Sequence, residues 1–166
     1  METLYYSRYQ TSVTSLLLGA SAKGLLALEF DRGQFPPNRC LAQWQESKEI
    51  LQPYIDELDE YFSGKRRQFS FRLDLRGTFF QLQCWLALLE IPYGETRTYA
   101  DVARAVGKPQ AFRAVGLANN RNPLAIVVPC HRVIASDGTL CGYGGGLDLK
   151  QKLLVLEGAR TGHLAA

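Results

Sequence analysis

The apolar run Leu124–Val128 is closed by proline on both sides, at Pro123 and Pro129, and is followed at once by Cys130, His131 and Arg132. A run this short, bounded by turn residues, fits a buried extended segment in a globular protein and is far too short to span a bilayer. It predicts that Cys130 is delivered to a fixed, turned position. The thiolate is the reactive form of cysteine, and a neighbouring positive charge lowers its pKa toward neutrality, so His131 and Arg132 are the local candidates for that charge. A structural cysteine beside a structural histidine would have the same local sequence. The pair alone leaves both readings open.

The rest of the chain supplies two differently patterned halves. Residues 3–9, 13–18 and 25–30 are rich in Tyr, Leu, Val and Thr and read as strands, the last two as a hairpin. Phe35–Pro37 reads as a loop. From Leu41 through Trp44, Leu51, Ile55 and Leu58 to Phe62, apolar residues recur at helical spacing, with Pro53 as a boundary or first-turn residue and Gly64 as the stop. Residues 68–73 alternate apolar and polar side chains and read as another strand. Beyond Arg76 and Gly77 the signals change to helix starts. Thr78 with Gln81, Thr98 with Asp101, and Asp148 with Gln151 have capping-box spacing. Gly107–Pro109 separates the helix opened by Thr98 from a second one, Gln110 to about Asn119, with Pro109 near its first position. Such a pair is a helix-turn-helix or an ordinary helical hairpin, and spacing does not separate the two. Asp137 and Gly138 predict a tight turn, Gly142–Gly146 offers bare backbone around Tyr143, and a last helix ends at Leu156–Gly158. The fold class is therefore α/β in the α+β sense, with residues 1–75 forming a small sheet-plus-helix domain and residues 76–166 a mainly helical one.

Charge separates the same halves. Residues 1–76 hold ten Lys/Arg and ten Asp/Glu, residues 77–166 nine and six; Arg97, Arg104, Lys108, Arg113, Arg121 and Arg132 face one acid, Asp101. That surplus suits a polyanion such as nucleic acid, although a solvated basic face looks the same. With 46% hydrophobic and 21% charged residues and no basic-then-apolar leader, the chain reads as an intracellular (cytoplasmic) soluble protein without a membrane segment. Cys40, Cys84, Cys130 and Cys141 lack C-x-x-C spacing, and neither His131 nor His163 completes a zinc pattern. Reduced thiols and no structural metal are expected.

Six strings in register resemble the O6-alkylguanine-DNA alkyltransferases, also called methylated-DNA–protein-cysteine methyltransferases. They are Thr98–Tyr99, Ala111–Gly116, Asn122–Pro123, Pro129–Val133, Tyr143 with its glycines, and Glu157–Gly158. The resemblance is close over residues 76–158 and loose before them, where it implies a ribonuclease-H-like domain. It implies that Cys130 accepts the alkyl group, that His131 takes the thiol proton through a water, and that Glu157 orients that imidazole. Asn122 would tie the helix-turn-helix to the active-site segment, and Tyr99 would donate to the leaving guanine. The carbonyls of Cys130 and Val133 would read the exocyclic amine, with Gly144 reaching O6 and Tyr143, Gly145 and Ala125 lining the pocket. Arg113 would fill the gap left by a flipped nucleotide, and Thr98, Ala111, Phe112, Ala114 and Gly116 would lie against the minor groove, not the major groove usual for a helix-turn-helix.

The implied reaction is single-use transfer of a methyl or larger alkyl group from O6-alkylguanine, and from O4-alkylthymine, in duplex DNA to the protein itself. No cofactor is implied. The partner is duplex DNA, bound by a monomer, with cooperative binding along DNA left open. The sequence departs from the commonest family pattern at Phe112, where a small alanine is frequent, at Cys141, where a small hydroxyl residue or glycine is usual, and at Ala125, which replaces a pocket proline. Rival readings are a non-catalytic lesion sensor, which Cys130 itself opposes, a helix-turn-helix regulator, and a Cys-His-Glu hydrolase.

Overall fold

Tyr5, Tyr6 and Tyr9, with runs of leucine at residues 16–18 and 25–28, make strands of the chain's first thirty residues. The computed structural model describes residues 1–31 and 43–159, and the chain divides there into two compact units, Met1–Arg76 and a second from Gly77 onward. In the first unit, strands β1 (Tyr5–Gln10), β2 (Ser15–Ser21), β3 (Gly24–Phe30) and β4 (Gln45–Glu46) form one sheet in the order β3-β2-β1-β4. β1–β2 and β2–β3 pair antiparallel, whereas the two-residue β4 joins Tyr5 and Tyr6 in parallel. β2 is buried almost throughout, as an interior strand should be.

Helix α1 (Lys48–Phe62) packs on β1 and β2 through Leu51, Ile55, Leu58 and Tyr61, a stripe at i, i+4, i+7 and i+10. Ser47 caps it, accepting from the Ile50 N–H at 3.3 Å. The apolar pattern read from Leu41 through Trp44 therefore starts before the helix does, and Pro53, read as a boundary or first-turn residue, lies inside the second turn. That position costs the Glu49 carbonyl its donor. Leu41, Cys40, His163 and the Phe35–Pro37 loop lie outside the described residues.

The strand expected at residues 68–73 is not one. Only Leu73 makes a bridge, to Leu25, with the Leu25 N–H donating to the Arg72 carbonyl at 3.0 Å. The alternation is real but serves ring packing. Phe71 meets Tyr54 edge-on at 5.0 Å, and Phe69 lies 5.6 Å from Tyr61.

In the second unit the capping boxes at Thr78 and Thr98 are both complete and open α2 (Phe79–Leu89) and α3 (Tyr99–Ala105). Helix α4 (Phe112–Asn120) follows, and the three pack on one another, with the Trp85 indole N–H donating to the Ala118 carbonyl at 2.9 Å. α4 begins two residues later than its sequence suggests. Pro109 sits in a turn closed by the Ala111 N–H on the Lys108 carbonyl, because neither Gln110 nor Ala111 supplies the short side-chain oxygen that caps a helix. The third expected box fails likewise: α5 (Leu147–Leu156) starts at Gly146 without a side-chain cap, leaving Asp148 in its first turn.

Two short strands position the chemistry. β5 (Arg97–Thr98) runs directly into α3 and pairs in parallel with β6 (Val133–Ile134), which directly follows a 3-10 turn at Cys130–Arg132. The ladder thereby carries Tyr99 just past its C-terminal end, at the start of α3, and the Cys130 turn just before its N-terminal end. α5 packs against the 3-10 turn and closes in a Schellman motif, with the Ala159 N–H on Leu154 and the Gly158 N–H on Val155. Gly158 has φ +67°, the left-handed conformation this motif requires, and it makes Glu157 the C-cap of the helix.

Candidate active site

The segment leading to Cys130 is turned, not extended. The Val128 N–H returns to the Leu124 carbonyl at 2.9 Å, and the Val127 N–H reaches back two residues to Ala125 at 2.8 Å. That second bond closes a γ-turn centred on Ile126, whose φ of +73° is a strained conformation for a β-branched residue. A second γ-turn, of the relaxed kind, follows at Pro129 (φ −82°, ψ 64°), closed by the Cys130 N–H on the Val128 carbonyl. Leu124–Val128 are buried throughout, and this packing holds the strained turn in place. An apolar run shows no periodicity that could have revealed it.

Asn122 fixes the other side. Its amide nitrogen donates to the Val128 carbonyl at 2.7 Å and to the Cys130 sulfur at 3.2 Å, while its oxygen accepts from the Leu124 N–H at 2.9 Å. Cys130 itself is 8% exposed. Burial pushes its thiol up, against the Asn122 hydrogen bond and the charge of Lys150, which pull it down.

His131 is fully buried, with Nε2 2.8 Å from the Glu157 carboxylate. Burial first, and then the like charges of Arg132 and Lys150, hold its pKa below the ordinary value in spite of Glu157, so the ring is neutral at pH 7. A neutral ring beside a carboxylate carries its proton on Nε2. That leaves Nδ1, which is buried and has no protein partner among the described residues, as the atom able to accept a proton.

Arg132 does not serve the thiol, contrary to what its sequence position suggests. Its guanidinium grips both oxygens of Glu157 at 2.8 and 2.9 Å, donates to the Ile91 carbonyl at 2.7 Å, and lies over the Tyr93 ring. A carboxylate at a helix C-terminus faces the negative end of the dipole, and two buried donors compensate for it here. Burial pushes the Glu157 carboxyl up, but the hydrogen bonds from His131 and Arg132 outweigh burial and bring it down to about 2.

Tyr99 donates its hydroxyl to the Cys141 carbonyl at 3.0 Å. Burial, then the Cys141 and Cys130 thiols, raise its pKa well above the usual phenol value, so it remains a proton-bearing donor. Gly116 of α4 lies beside the Tyr99 ring: a Cβ there would sit 3.9 Å from Cε1. On the same helix Val115, Ala118 and Asn119 are buried, whereas Phe112, 44% exposed, and Arg113 face outward and Ala111 and Ala114 are half-buried. The Thr98 hydroxyl is taken by its capping box. Tyr143, Gly144 and Gly145 lie in the segment joining Cys141 to α5, and Ala125 is buried in the strained turn.

One residue escaped the sequence reading. Lys150 is fully buried, and its ammonium donates to the Val133 carbonyl at 2.6 Å and to the Cys141 carbonyl at 3.1 Å. The signal was present in α5, where Lys150, Leu153, Leu154 and Glu157 fall at i, i+3, i+4 and i+7, two charges inside a buried stripe. Cys84, Cys130 and Cys141 carry free thiols, and no group of three metal-binding side chains occurs among the described residues. Among those residues no helix is long and apolar enough to cross a membrane.

Two family profiles match this chain. The ribonuclease-like domain of 6-O-methylguanine DNA methyltransferase covers residues 4–75, and its DNA binding domain covers residues 79–159. The chain belongs to the 6-O-methylguanine DNA methyltransferase family. It is 50% identical over 154 residues to the methylated-DNA–protein-cysteine methyltransferase of Methanosarcina barkeri, spanning 93% of this chain and 97% of that one. The Mycobacterium tuberculosis protein of the same name is 44% identical over 158 residues, with 95% and 94% covered. A crystal structure of the M. tuberculosis O6-methylguanine methyltransferase matches with a TM-score of 0.87 at 44% identity, over 94% of this chain and 93% of that one. The same protein in complex with DNA matches with a TM-score of 0.85 over 93% and 92%. The family fold is thus an N-terminal sheet domain followed by a helical domain, as the sequence resemblance implied.

Proposed function

We propose that this protein repairs DNA by moving the alkyl group of O6-alkylguanine onto its own Cys130, once per molecule. What supports the reading is one constellation in a chain of this family: Asn122 hydrogen-bonded to the Cys130 sulfur, His131 hydrogen-bonded to Glu157, and the two pairs joined by adjacent residues of one buried turn, with a neutral imidazole as proton acceptor. The Cys130 proton passes through a water to His131 Nδ1, and Glu157 and Arg132 hold the ring and its charge. The thiolate attacks the alkyl carbon, the carbon–O6 bond breaks, and the electron pair leaves with guanine. Tyr99, released from the Cys141 carbonyl, donates its proton toward the departing base. A thioether remains, and it has no route back to a thiol.

Reaction on a stacked base requires its extrusion. In this reading α4 lies against the minor groove through Ala111, Ala114 and Gly116, Thr98 stands near the backbone, and Arg113 takes the place of the flipped nucleotide. Tyr143, Gly144, Gly145, Ala125 and Val133 line the base pocket. Residues 76–166 then carry both chemistry and DNA contact as one domain, residues 1–75 form a separate one, and the protein acts as a monomer on duplex DNA.

The test compares an O6-methylguanine duplex with free O6-benzylguanine, for the natural protein and Arg113→Ala. The natural protein should consume one equivalent of either and stop. The variant should lose roughly tenfold or more on duplex, from about 1.4 kcal/mol or more of lost barrier lowering, and react with the free base within about twofold of the natural rate. Continued turnover, or equal slowing on both substrates, would contradict the reading.

A further inference from the structure

Lys150 is the buried cation without an anion. Arg132, the other buried guanidinium or ammonium group among the described residues of the second unit, has the Glu157 carboxylate. Lys150 is completely buried, forms no ion pair among the described residues, and donates only to two carbonyl oxygens, of Val133 and Cys141. A buried charge is expensive unless a counter-charge meets it. The side chain also joins two walls of the site: Val133 follows the Cys130 turn directly, and the Cys141 carbonyl is the one that holds the Tyr99 hydroxyl.

We propose that Lys150 is a positioning residue that clamps these two walls together and stands as the waiting counter-charge for the Cys130 thiolate. The proposal rests on the reading that Cys130 is the alkyl acceptor. In the resting site the thiol is neutral and Lys150 is the unmatched ion. When the thiol proton moves to His131, the new anion is opposed by the charge of Lys150, and the cost of burying Lys150 is offset at that moment. The groups that face this anion are His131 and Lys150 as cations or potential cations, Cys141 and Tyr99 as potential anions, and Asn122 as a neutral donor; the Glu157 charge is taken up by His131 and Arg132. The charge effects agree in direction: Cys130 and Cys141 favour the charged form of Lys150, Lys150 favours the Cys130 thiolate, and burial opposes both.

The test uses iodoacetamide, a small alkylating probe, on the full-length protein over a range of pH, with the modified cysteine located by mass spectrometry. Lys150→Gln keeps a donor for the carbonyls and removes the charge; Lys150→Arg keeps the charge. In the glutamine variant the apparent pKa of Cys130 should rise by about one unit or more, so alkylation at pH 7 falls about tenfold and recovers at high pH. The arginine variant should restore most of the rate. Loss by the same factor at every pH, or no loss, overturns the counter-charge. A second measurement needs no variant. The Lys150 ammonium, followed by nitrogen NMR in the natural protein, should titrate at lower pH once Cys130 is S-methylated, because the thioether can never supply the anion. An unchanged titration overturns the proposal whether or not the variants fold. If Cys130 shows the pH effect with iodoacetamide yet takes no methyl group from DNA, the acceptor reading fails while the role of Lys150 stands.

Discussion

Cys130→Ser should abolish alkyl transfer and leave duplex binding within about twofold. Serine occupies the same space and can still accept from Asn122, so the buried turn keeps its shape. Its hydroxyl is a far weaker nucleophile toward an alkyl carbon than a thiolate, and the same neutral imidazole ionises a hydroxyl far less than a thiol. Binding should survive because the acceptor is buried, 8% exposed, whereas the proposed DNA contact is made by the outward side chains of α4 and the basic surplus. Phosphate contacts set the affinity of a protein that must ignore sequence, and they appear as a linear fall of log affinity with log salt. Anisotropy titrations at two or more salt concentrations should therefore give the same slope for both proteins. If binding and transfer fall together, the acceptor and the DNA-contacting surface are not separate.

Glu157→Gln should be the most destabilising conservative change in the second unit. It removes the charge that compensates Arg132 and leaves a buried guanidinium opposed by an amide that can itself donate. Breaking a buried pair in this way costs about 3–5 kcal/mol. The pH dependence follows from the carboxyl's low value. Its pKa is about 2 in the folded protein against an ordinary 4.5. A depressed carboxyl stabilises the fold fully above its unfolded value and progressively less as pH falls toward its folded one. The stabilisation of about 3 kcal/mol is therefore present at neutral pH and fades between pH 4.5 and about 2. Urea unfolding of both proteins at pH 7 and pH 3 should show a gap that narrows in acid. Transfer should slow as well, because His131 loses the group that keeps its proton on Nε2. A variant as stable as the natural protein at pH 7, with an unchanged rate, would remove Glu157 from the site.

The parts of this molecule that could be read from sequence are those written over three or four residues. Thr78 with Gln81 and Thr98 with Asp101 gave helix starts because each box is a local exchange of hydrogen bonds. Gly64, Gly107 and Gly158 gave helix ends for the same reason. Where a pattern served another purpose, the reading failed. The alternation at 68–73 packs rings on α1, and the apolar run before Cys130 folds into γ-turns because burial on every side outweighs the strain at Ile126. Glu157 entered through family resemblance alone, since 26 residues separate it from His131. The partners of Arg132 and Lys150 were illegible because they depend on which face α5 turns toward the Cys130 turn. A charged residue inside an apolar stripe is the one trace such contacts leave in sequence.

The alkyl carbon should end on the Cys130 sulfur, and intact mass reads that destination. Incubation with excess O6-methylguanine duplex should add one methyl-sized increment per molecule, and peptide mapping should place it on Cys130, with Cys84 and Cys141 unmodified. An unchanged mass after the guanine has been restored, or an increment on Cys141, would contradict the account.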